Sequence, residues 1–491
     1  MKKIVALLVI LLCFISSFVP CTAASQETVT LLEPEEVRQI FNTSQNSVKD
    51  TYVSIGGAQL PYRLYVPDGY DPSKSYPLVL SFHGAGERGT DNEAQLSNAS
   101  IWGRLLIESE RENNPCLILA PQCPATSKWV MVRNWSDCVY NRTSISDSPY
   151  MRATEELLEK VLEEYSVDEG RLYVTGVSMG GYATWDIITR NPDKFAAAIP
   201  VCGGVDPIRI PNVKHLPIWT FHNDADPTVP PTGTRQAYEL LKDYGNIKYN
   251  EFVSNKHNAW TAAFSTVGLT DWLFSKVNTV EVSYPTVTGA SVTGPTEIHR
   301  NEKLTFNFTL EDGYALKSLT VGGTKVSYTE TANGGTVEIS RYAGAQIKLD
   351  VRKIVTLSSE IKCDTGSGGT VTMKESALAG ETVSFTVKAD EGYEVKSVKI
   401  NGEAVELTGG SYFFIASGAA ATVEVTFAEK ASAPVTPDEP NEPNEPNEPD
   451  EPDEPTGGAD FTLDESIIIP AAIIGGFILL LIVAILIFKR T

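Results

Sequence analysis

The sequence predicts an α/β fold with a mostly parallel sheet, followed by two small all-β sandwich-like modules, a proline-rich stalk and one transmembrane helix. Between Thr51 and Asn278, short apolar runs alternate with segments of helical spacing. Residues 280–430 consist of short alternating runs rich in Val, Thr and Ser, separated by turn residues. An acidic proline-rich stretch and an apolar run without a charge follow.

The 491 residues are too many for one core and enough for roughly two to four domains. The formal net charge of −22 owes much to the Asp-Glu-Pro and Asn-Glu-Pro triplets of Pro437–Pro455. Proline at every third position favours an extended polyproline II stalk within the linker of residues 431–465. The acidity argues against nucleic acid as a partner.

Both ends of the chain carry targeting signals. Two lysines and the apolar run Ile4–Val19 predict a signal peptide over residues 1–24; a lipid-modified Cys21 is the less favoured alternative. A short segment, 25–50, follows it.

Residues 466–488 are long and apolar enough for a membrane helix, and a buried core helix is the weaker alternative. The basic stub 489–491 would stay in the cytoplasm. We therefore expect a single-pass protein of the cell membrane with the α/β domain of residues 51–278 outside the cell.

The β-rich region contains an internal repeat. Phe306–Ser318 returns as Phe385–Ser397, which predicts one module over residues 279–354 and a second over 355–430. These modules resemble the β-rich repeats of Gram-positive surface proteins. A spacer role is favoured, and contact with cell-wall or other glycans is the alternative. The candidate stacking residues are Tyr314, Tyr393 and Tyr412.

Residues 51–278 form the predicted α/β domain. Its helices are expected at Arg152–Tyr165, Tyr182–Asn191 and Trp260–Val277. Its strands are expected at Leu78–Phe82, Leu117–Ala120, Leu172–Val174, Ala196–Val201, Pro217–Phe221 and Tyr249–Val253.

The central motif is Gly176-Val177-Ser178-Met179-Gly180, between a strand and a helix. That context is typical of a nucleophile elbow, in which a tight turn exposes the serine and only glycine fits at the flanking positions. An incidental serine in a glycine-rich turn is the weaker alternative.

A serine nucleophile needs a histidine base, and the base needs a carboxylate to orient it. His257 lies in a loop between the last strand and the last helix, which favours it over His215, His222 and His299. The acid should follow the strand that ends at Phe221.

Two aspartates follow that strand. Asp226 is favoured as the acid because it directly precedes the Pro-Thr-Val-Pro turn, whereas Asp224 is expected to brace the loop backbone.

The turn that begins at His83 corresponds to an oxyanion loop, with the backbone amides of Gly84, Ala85 and Met179 as candidate donors. His83 itself is expected to be structural. The candidate pocket residues are Gln122, Trp129 and Trp260, with core packing as the alternative.

Cysteine and histidine spacing indicates no metal site, and no cofactor is expected. After signal removal five cysteines remain, an odd number, so at least one is unpaired; Cys123 and Cys138 could close a loop.

The assembled motifs resemble extracellular α/β-hydrolases of the esterase type, in the group of polyhydroxybutyrate depolymerases, feruloyl esterases and sequences named predicted peptidases. The matching segments are Tyr62–Pro67, His83–Gly89, Ala120–Cys123, Gly176–Gly181, Asp226–Pro230 and His257–Trp260. The resemblance implies a triad of Ser178, Asp226 and His257.

Three functions are compatible with these residues. The favoured one is a cell-surface serine esterase that removes acyl groups, such as acetyl or feruloyl, from polysaccharides or oligosaccharides of plants. A serine peptidase of the prolyl-oligopeptidase type is the second, although such enzymes usually carry a propeller before the hydrolase domain. A non-catalytic surface binding protein is the third, and the intact triad and glycine loop argue against it.

Overall fold

The computed structural model describes residues 28–96, 101–408 and 410–431. The described residues up to Lys430 belong to one compact unit. No helix within these described stretches has the length and apolar character needed to cross a membrane. The predicted signal peptide and the predicted membrane helix at 466–488 lie outside the described residues, as does nearly all of the linker, and they remain predictions.

A central eight-stranded sheet organises the first half of the chain, in the order β1-β2-β4-β3-β5-β6-β7-β8. The strands are β1 (Val48–Val53), β2 (Gln59–Tyr65), β3 (Tyr76–Phe82), β4 (Leu117–Pro121), β5 (Val167–Val177), β6 (Ala197–Val201), β7 (Ile218–Asn223) and β8 (Ile247–Phe252). The pairs β1–β2 and β2–β4 are antiparallel, and the other pairs are parallel. The predicted α/β fold with a mostly parallel sheet is confirmed, and its architecture is that of an α/β-hydrolase.

The described helices of this domain are α1 (Pro34–Thr43), α2 (Trp102–Leu105), α3 (Glu108–Asn113), α4 (Pro149–Glu164), α5 (Met179–Arg190), α6 (Thr232–Leu241), α7 (Ala259–Phe264) and α8 (Leu269–Phe274). The single helix predicted at Trp260–Val277 is wrong, because the structure has α7 and α8 there. Gly268, with a left-handed φ of 75°, caps the start of α8 and breaks the helical path.

The sheet is buried on both faces, which explains its nearly continuous apolar strands. In β5, Leu172 and Val174 join one core cluster, while Tyr173 and Val177 join the cluster on the opposite face. This alternation follows from the two-residue period of a strand.

The N-terminal segment belongs to the catalytic domain. The expected domain start at residue 51 falls inside β1. Helix α1 packs through Val37 and Phe41 into one of the two core clusters, and the Phe41 ring meets Tyr65 and Trp102 edge-on.

The described residues after 278 form β strands, in agreement with the prediction for residues 279–430. They are β9 (Thr279–Glu281), β10 (Ala290–Thr293), β11 (Glu297–His299), β12 (Leu304–Leu310), β13 (Tyr314–Val321), β14 (Thr324–Lys325), β15 (Thr329–Thr331), β16 (Gly334–Ile339), β17 (Ile347–Cys363), β18 (Gly369–Thr372), β19 (Ser376–Leu378), β20 (Thr382–Ala389), β21 (Tyr393–Ile400), β22 (Glu403–Ala404), β23 (Tyr412–Ile415) and β24 (Ala421–Glu429). The repeated sequence forms equivalent strands, β12–β13 and β20–β21. Both β13 and β21 shift register at the repeated lysine, Lys317 or Lys396.

The two β modules share one strand. The first part of β17 pairs with β13, and its last part pairs in parallel with β24. The expected boundary between residues 354 and 355 therefore falls within a continuous strand. The modules follow each other without a linker.

The three candidate stacking tyrosines pack against their own modules. A Cβ on Gly289 would overlap the ring of Tyr314, so this ring packs directly against the backbone of Gly289. Tyr393 lies against the turn at Gly366, and Tyr412 stacks on Phe385 with ring centroids 5.3 Å apart. Glycan contact through these tyrosines remains a prediction.

The first β module contacts the start of β5. Asp168 accepts a hydrogen bond from His299 at 3.0 Å, and Glu169 accepts one from Asn301 at 2.9 Å and pairs with Arg341 at 2.7 Å. Ser178 follows the opposite end of the same strand, so the module contacts the sheet at the end away from the serine.

Candidate active site

Ser178 lies at a strained turn between β5 and α5. Its backbone φ of 55° is in the left-handed region that non-glycine residues rarely adopt. A Cβ on Gly176 would overlap the backbone of Gly180, and a Cβ on Gly180 would overlap the carbonyl of Phe82. The side-chain-free positions on both sides of the serine are therefore required by packing, as expected for a nucleophile elbow.

His257 connects the serine to a carboxylate. Its Nε2 lies 2.8 Å from Ser178 Oγ, and its Nδ1 lies 2.6 Å from Asp226 Oδ2. With a proton on Nδ1, the ring donates to Asp226 and leaves Nε2 free to accept the hydroxyl proton of Ser178. The three residues implied by the sequence are brought together in this order.

The surroundings of Asp226 stabilise its ionised form. Its other oxygen, Oδ1, accepts hydrogen bonds from the backbone N–H groups of Thr228 (2.9 Å) and Val229 (3.0 Å). Burial raises the pKa of this carboxyl, but the hydrogen bonds from His257 and from the two backbone N–H groups outweigh burial and hold the pKa below its usual range.

Asp224 supports the loop backbone, as the sequence suggested. Its Oδ1 accepts a hydrogen bond from the backbone N–H of Ser254 at 2.9 Å, within the loop that leads to His257. Its carboxylate therefore serves the backbone of the base loop, while Asp226 contacts the base itself.

The oxyanion loop is fixed by His83, which is fully buried. His83 Nδ1 donates to the carbonyl of Gly84 at 2.6 Å, and Nε2 accepts the N–H of Cys123 at 2.9 Å. Burial lowers the pKa of His83 to about 4, so the ring is neutral near pH 7. Its predicted structural role agrees with these contacts.

This arrangement orients the peptide between Gly84 and Ala85. Since the carbonyl of Gly84 faces His83, the N–H of Ala85, in the same planar trans peptide, points the opposite way. Among residues 28–96, 101–408 and 410–431, no backbone carbonyl accepts a hydrogen bond from the N–H of Ala85 or of Met179. The role of the Ala85, Met179 and Gly84 amides as donors to a developing oxyanion stays a prediction.

Two of the three candidate pocket residues lie elsewhere than expected. Gln122 and Trp129 are both 0% exposed. Gln122 bonds to the N–H of Asn92 at 2.7 Å, and Trp129 Nε1 donates to the carbonyl of His83 at 3.3 Å. The expectation that they line the pocket is wrong, because both side chains are enclosed by the loop they support.

Trp260 stays at the site. It is half-buried, and its ring meets the His257 imidazole edge-on at a centroid distance of 5.4 Å. A contact of Trp260 with the substrate stays a prediction.

His222 is a buried residue next to the acid that sequence reasoning set aside. Its Nε2 donates to the carbonyl of Val229 at 2.9 Å and lies 3.7 Å from Asp226 Oδ2, while Nδ1 meets Thr234 Oγ1 at 2.8 Å. Burial lowers its pKa below the usual range, so the neutral ring supports the turn that presents the acid. His215 and His299 lie away from the serine.

Cys202 is a buried thiol close to Asp226 and His257. It follows β6 with a φ of 42° and is 0% exposed. Its sulfur and the ligand atoms of Asp226 and His257 lie within 4.8 Å of one another. A metal there would have to displace the bond between Asp226 and His257, so the geometry favours proton transfer. All five described cysteines are free thiols, and no Cys123–Cys138 bridge forms among them.

Comparison with known proteins agrees with this site. The model of the prolyl oligopeptidase family matches residues 151–251, which include Ser178 and Asp226. The predicted resemblance to esterase-type α/β-hydrolases is confirmed. The resemblance of residues 279–430 to surface-protein repeats remains a prediction.

Individual relatives cover only part of the chain. A probable feruloyl esterase C of Aspergillus terreus is 27% identical over 29% of this chain and 46% of its own length. A poly(3-hydroxyalkanoate) depolymerase C of Paucimonas lemoignei is 26% identical over 28% of this chain and 30% of its own. A solved thermostable esterase is 34% identical, with a TM-score of 0.44, and covers 49% of this chain and 64% of its own. The chain thus spans less than half the length of these two curated relatives.

Proposed function

We propose that this protein is a serine ester hydrolase in which Ser178 is the nucleophile, His257 the general base and Asp226 the residue that orients the base. The observation that carries the proposal is the continuous hydrogen-bond path from Asp226 through His257 to Ser178. This arrangement activates a hydroxyl that is otherwise a weak nucleophile.

The reaction follows from the positions of these atoms. Ser178 Oγ attacks the ester carbonyl as its proton passes to His257 Nε2, and the carbonyl oxygen becomes an oxyanion held by the N–H groups of Ala85 and Met179. His257 then gives the proton to the leaving alcohol, which leaves an acyl group on Ser178. A water molecule, deprotonated by His257, attacks this acyl-enzyme and releases the acid.

We propose acyl esters of polysaccharides as the substrate class, with feruloyl and acetyl groups as candidates. Support comes from the feruloyl esterase relative and from the half-buried Trp260 beside His257, which suits an aromatic acyl group. A peptidase is the second candidate, and the match of residues 151–251 to the prolyl oligopeptidase family favours it.

A substrate panel distinguishes the two candidates. The purified full-length chain would be assayed on feruloyl-arabinose, acetyl-xylan, short p-nitrophenyl esters and prolyl peptides, each beside the Ser178→Ala variant. Ester cleavage that depends on Ser178, with peptides left intact, is the expected result. Cleavage of peptides alone would replace the esterase with the peptidase.

We also propose that the enzyme works at the outer face of the cell membrane. The apolar segments at 1–24 and 466–488, together with the basic stub 489–491, support this location. An outward-facing site suits a polymer that cannot enter the cell.

A further inference from the structure

The turn that carries Asp226 and the loop that carries His257 are joined by hydrogen bonds. The backbone N–H of Asp224 donates to the carbonyl of Phe252 at 2.9 Å. The side-chain Oδ1 of Asp224 accepts a hydrogen bond from the N–H of Ser254 at 2.9 Å. These bonds fix the start of the loop. They do not involve His257 or the residues next to it.

Asn223 holds the loop on both sides of His257. Its Nδ2 donates to the carbonyl of Lys256 at 2.7 Å and to Oδ1 of Asn258 at 3.1 Å. Asn223 is only 2% exposed and ends β7, so its backbone is anchored in the central sheet. One carboxamide therefore ties the two neighbours of the base to the strand that leads to the acid.

The His257 loop needs such a support. Residues 253–258 lie between β8 and α7 without helix or strand hydrogen bonding. The position of His257 Nε2 relative to Ser178 thus depends on contacts outside regular structure. Small errors in the placement of a reacting group are costly, since a displacement of about 1 Å can reduce the rate about 100-fold.

We propose that Asn223 is a positioning residue that sets His257 between Asp226 and Ser178. The inference rests on the proposed serine mechanism and deepens it. The residue acts through the loop backbone and touches no reacting atom.

The chemistry of the contacts requires an amide at this position. Both partners, the carbonyl of Lys256 and Oδ1 of Asn258, are hydrogen-bond acceptors, so the group between them must donate twice. Alanine removes both donors. Aspartate keeps the shape of Asn223 but turns a carboxylate toward two acceptors, which repels the loop.

The test compares Asn223→Ala and Asn223→Asp in the full-length chain, with a p-nitrophenyl ester as the probe. We expect kcat to fall about 10- to 100-fold in both variants, with KM little changed and at least as large a loss in Asn223→Asp. The rate of inactivation by a fluorophosphonate should fall in parallel, because it also depends on activation of Ser178. Asn258→Ala removes a single acceptor and should lose less.

Asn246→Ala is the matched control. Its carboxamide also donates to a backbone carbonyl, that of Lys214, at 3.0 Å. Asn246 directly precedes the first residue of β8, at the end of that strand opposite to the His257 loop. Its activity should equal that of the wild type.

If both Asn223 variants keep kcat within about twofold of the wild type, the positioning role is wrong. A rise in the KM of the Asn223 variants at unchanged kcat would also show that the positioning role is wrong. An inactive wild type, or an active Ser178→Ala variant, would instead overturn the proposed function.

Discussion

His257 Nε2 lies 2.8 Å from Ser178 Oγ, although the two residues are 79 positions apart in the chain. The serine is held by a strained turn at the end of β5, whereas the histidine lies on a loop after the last strand of the sheet. Parallel strands carry both to the same edge, because their carboxyl ends meet there. The contact is therefore a consequence of sheet topology as well as of loop sequence.

Replacing Ser178 by alanine should abolish ester hydrolysis and fluorophosphonate labelling while the protein stays folded. The variant loses the only atom that can form the acyl-enzyme, and what activity remains should not exceed the low background that oxyanion binding alone supports. Labelling and turnover are measured on wild type and variant, with circular dichroism to establish folding. Persistent labelling of the variant would remove Ser178 as the nucleophile.

Asp226→Asn should cost far more activity than Asp224→Asn. The Asp226 carboxylate accepts a hydrogen bond from the Nδ1–H of His257 and stabilises the imidazolium, a function worth on the order of 10⁴ in kcat in comparable triads. The Asp224 carboxylate accepts the N–H of Ser254, which an amide oxygen can also do. Steady-state kinetics of the two variants decide the matter, and a larger loss in Asp224→Asn would reverse the assignment.

The sequence predicted the parts of this site that depend on local pattern. The elbow at Ser178 was recognisable because packing permits only glycine beside it, and the order of serine, acid and histidine located Asp226 and His257. Asn223 and His222 could not be found this way. Their roles depend on which backbone groups the folded loops bring within hydrogen-bonding distance.

The errors have equally specific causes. Gln122 and Trp129 have side chains common in pockets, but both are buried and form hydrogen bonds with the loop that follows β3. The expected module boundary between residues 354 and 355 falls inside β17, because the repeat in the sequence marks the repeated segments and not the strand that connects them. A long strand can pair with different partners along its length, and no residue at 354–355 forces it to end.

The buried His83 should make stability depend on pH. Burial lowers its pKa to about 4, compared with about 6.5 for an unfolded histidine. Between these values the unfolded chain binds more protons, so the free energy of unfolding should decrease as the pH falls from about 6.5 towards 4. For this residue the loss is on the order of 3 kcal/mol.

His83→Gln provides the comparison, because glutamine can still accept the N–H of Cys123 but does not titrate. Urea unfolding at several pH values should give a shallower dependence in the variant. Since His222 also titrates below its usual range, the difference between the two proteins is the relevant quantity. Equal slopes in wild type and variant would show that His83 does not control the effect.

Truncation after Gly457 should release active enzyme into the medium. The apolar segment at 466–488 is the proposed membrane anchor, and the described hydrolase core, with Ser178, Asp226 and His257, is complete before it. Intact cells that make the full-length chain should hydrolyse an added ester substrate, since the proposed topology places the site outside. Fractionation of cells that make each version, with activity measured in medium and membranes, tests both statements. The outward-anchored arrangement fails if the truncated protein stays with the cells, or if external protease cannot reach the full-length catalytic domain.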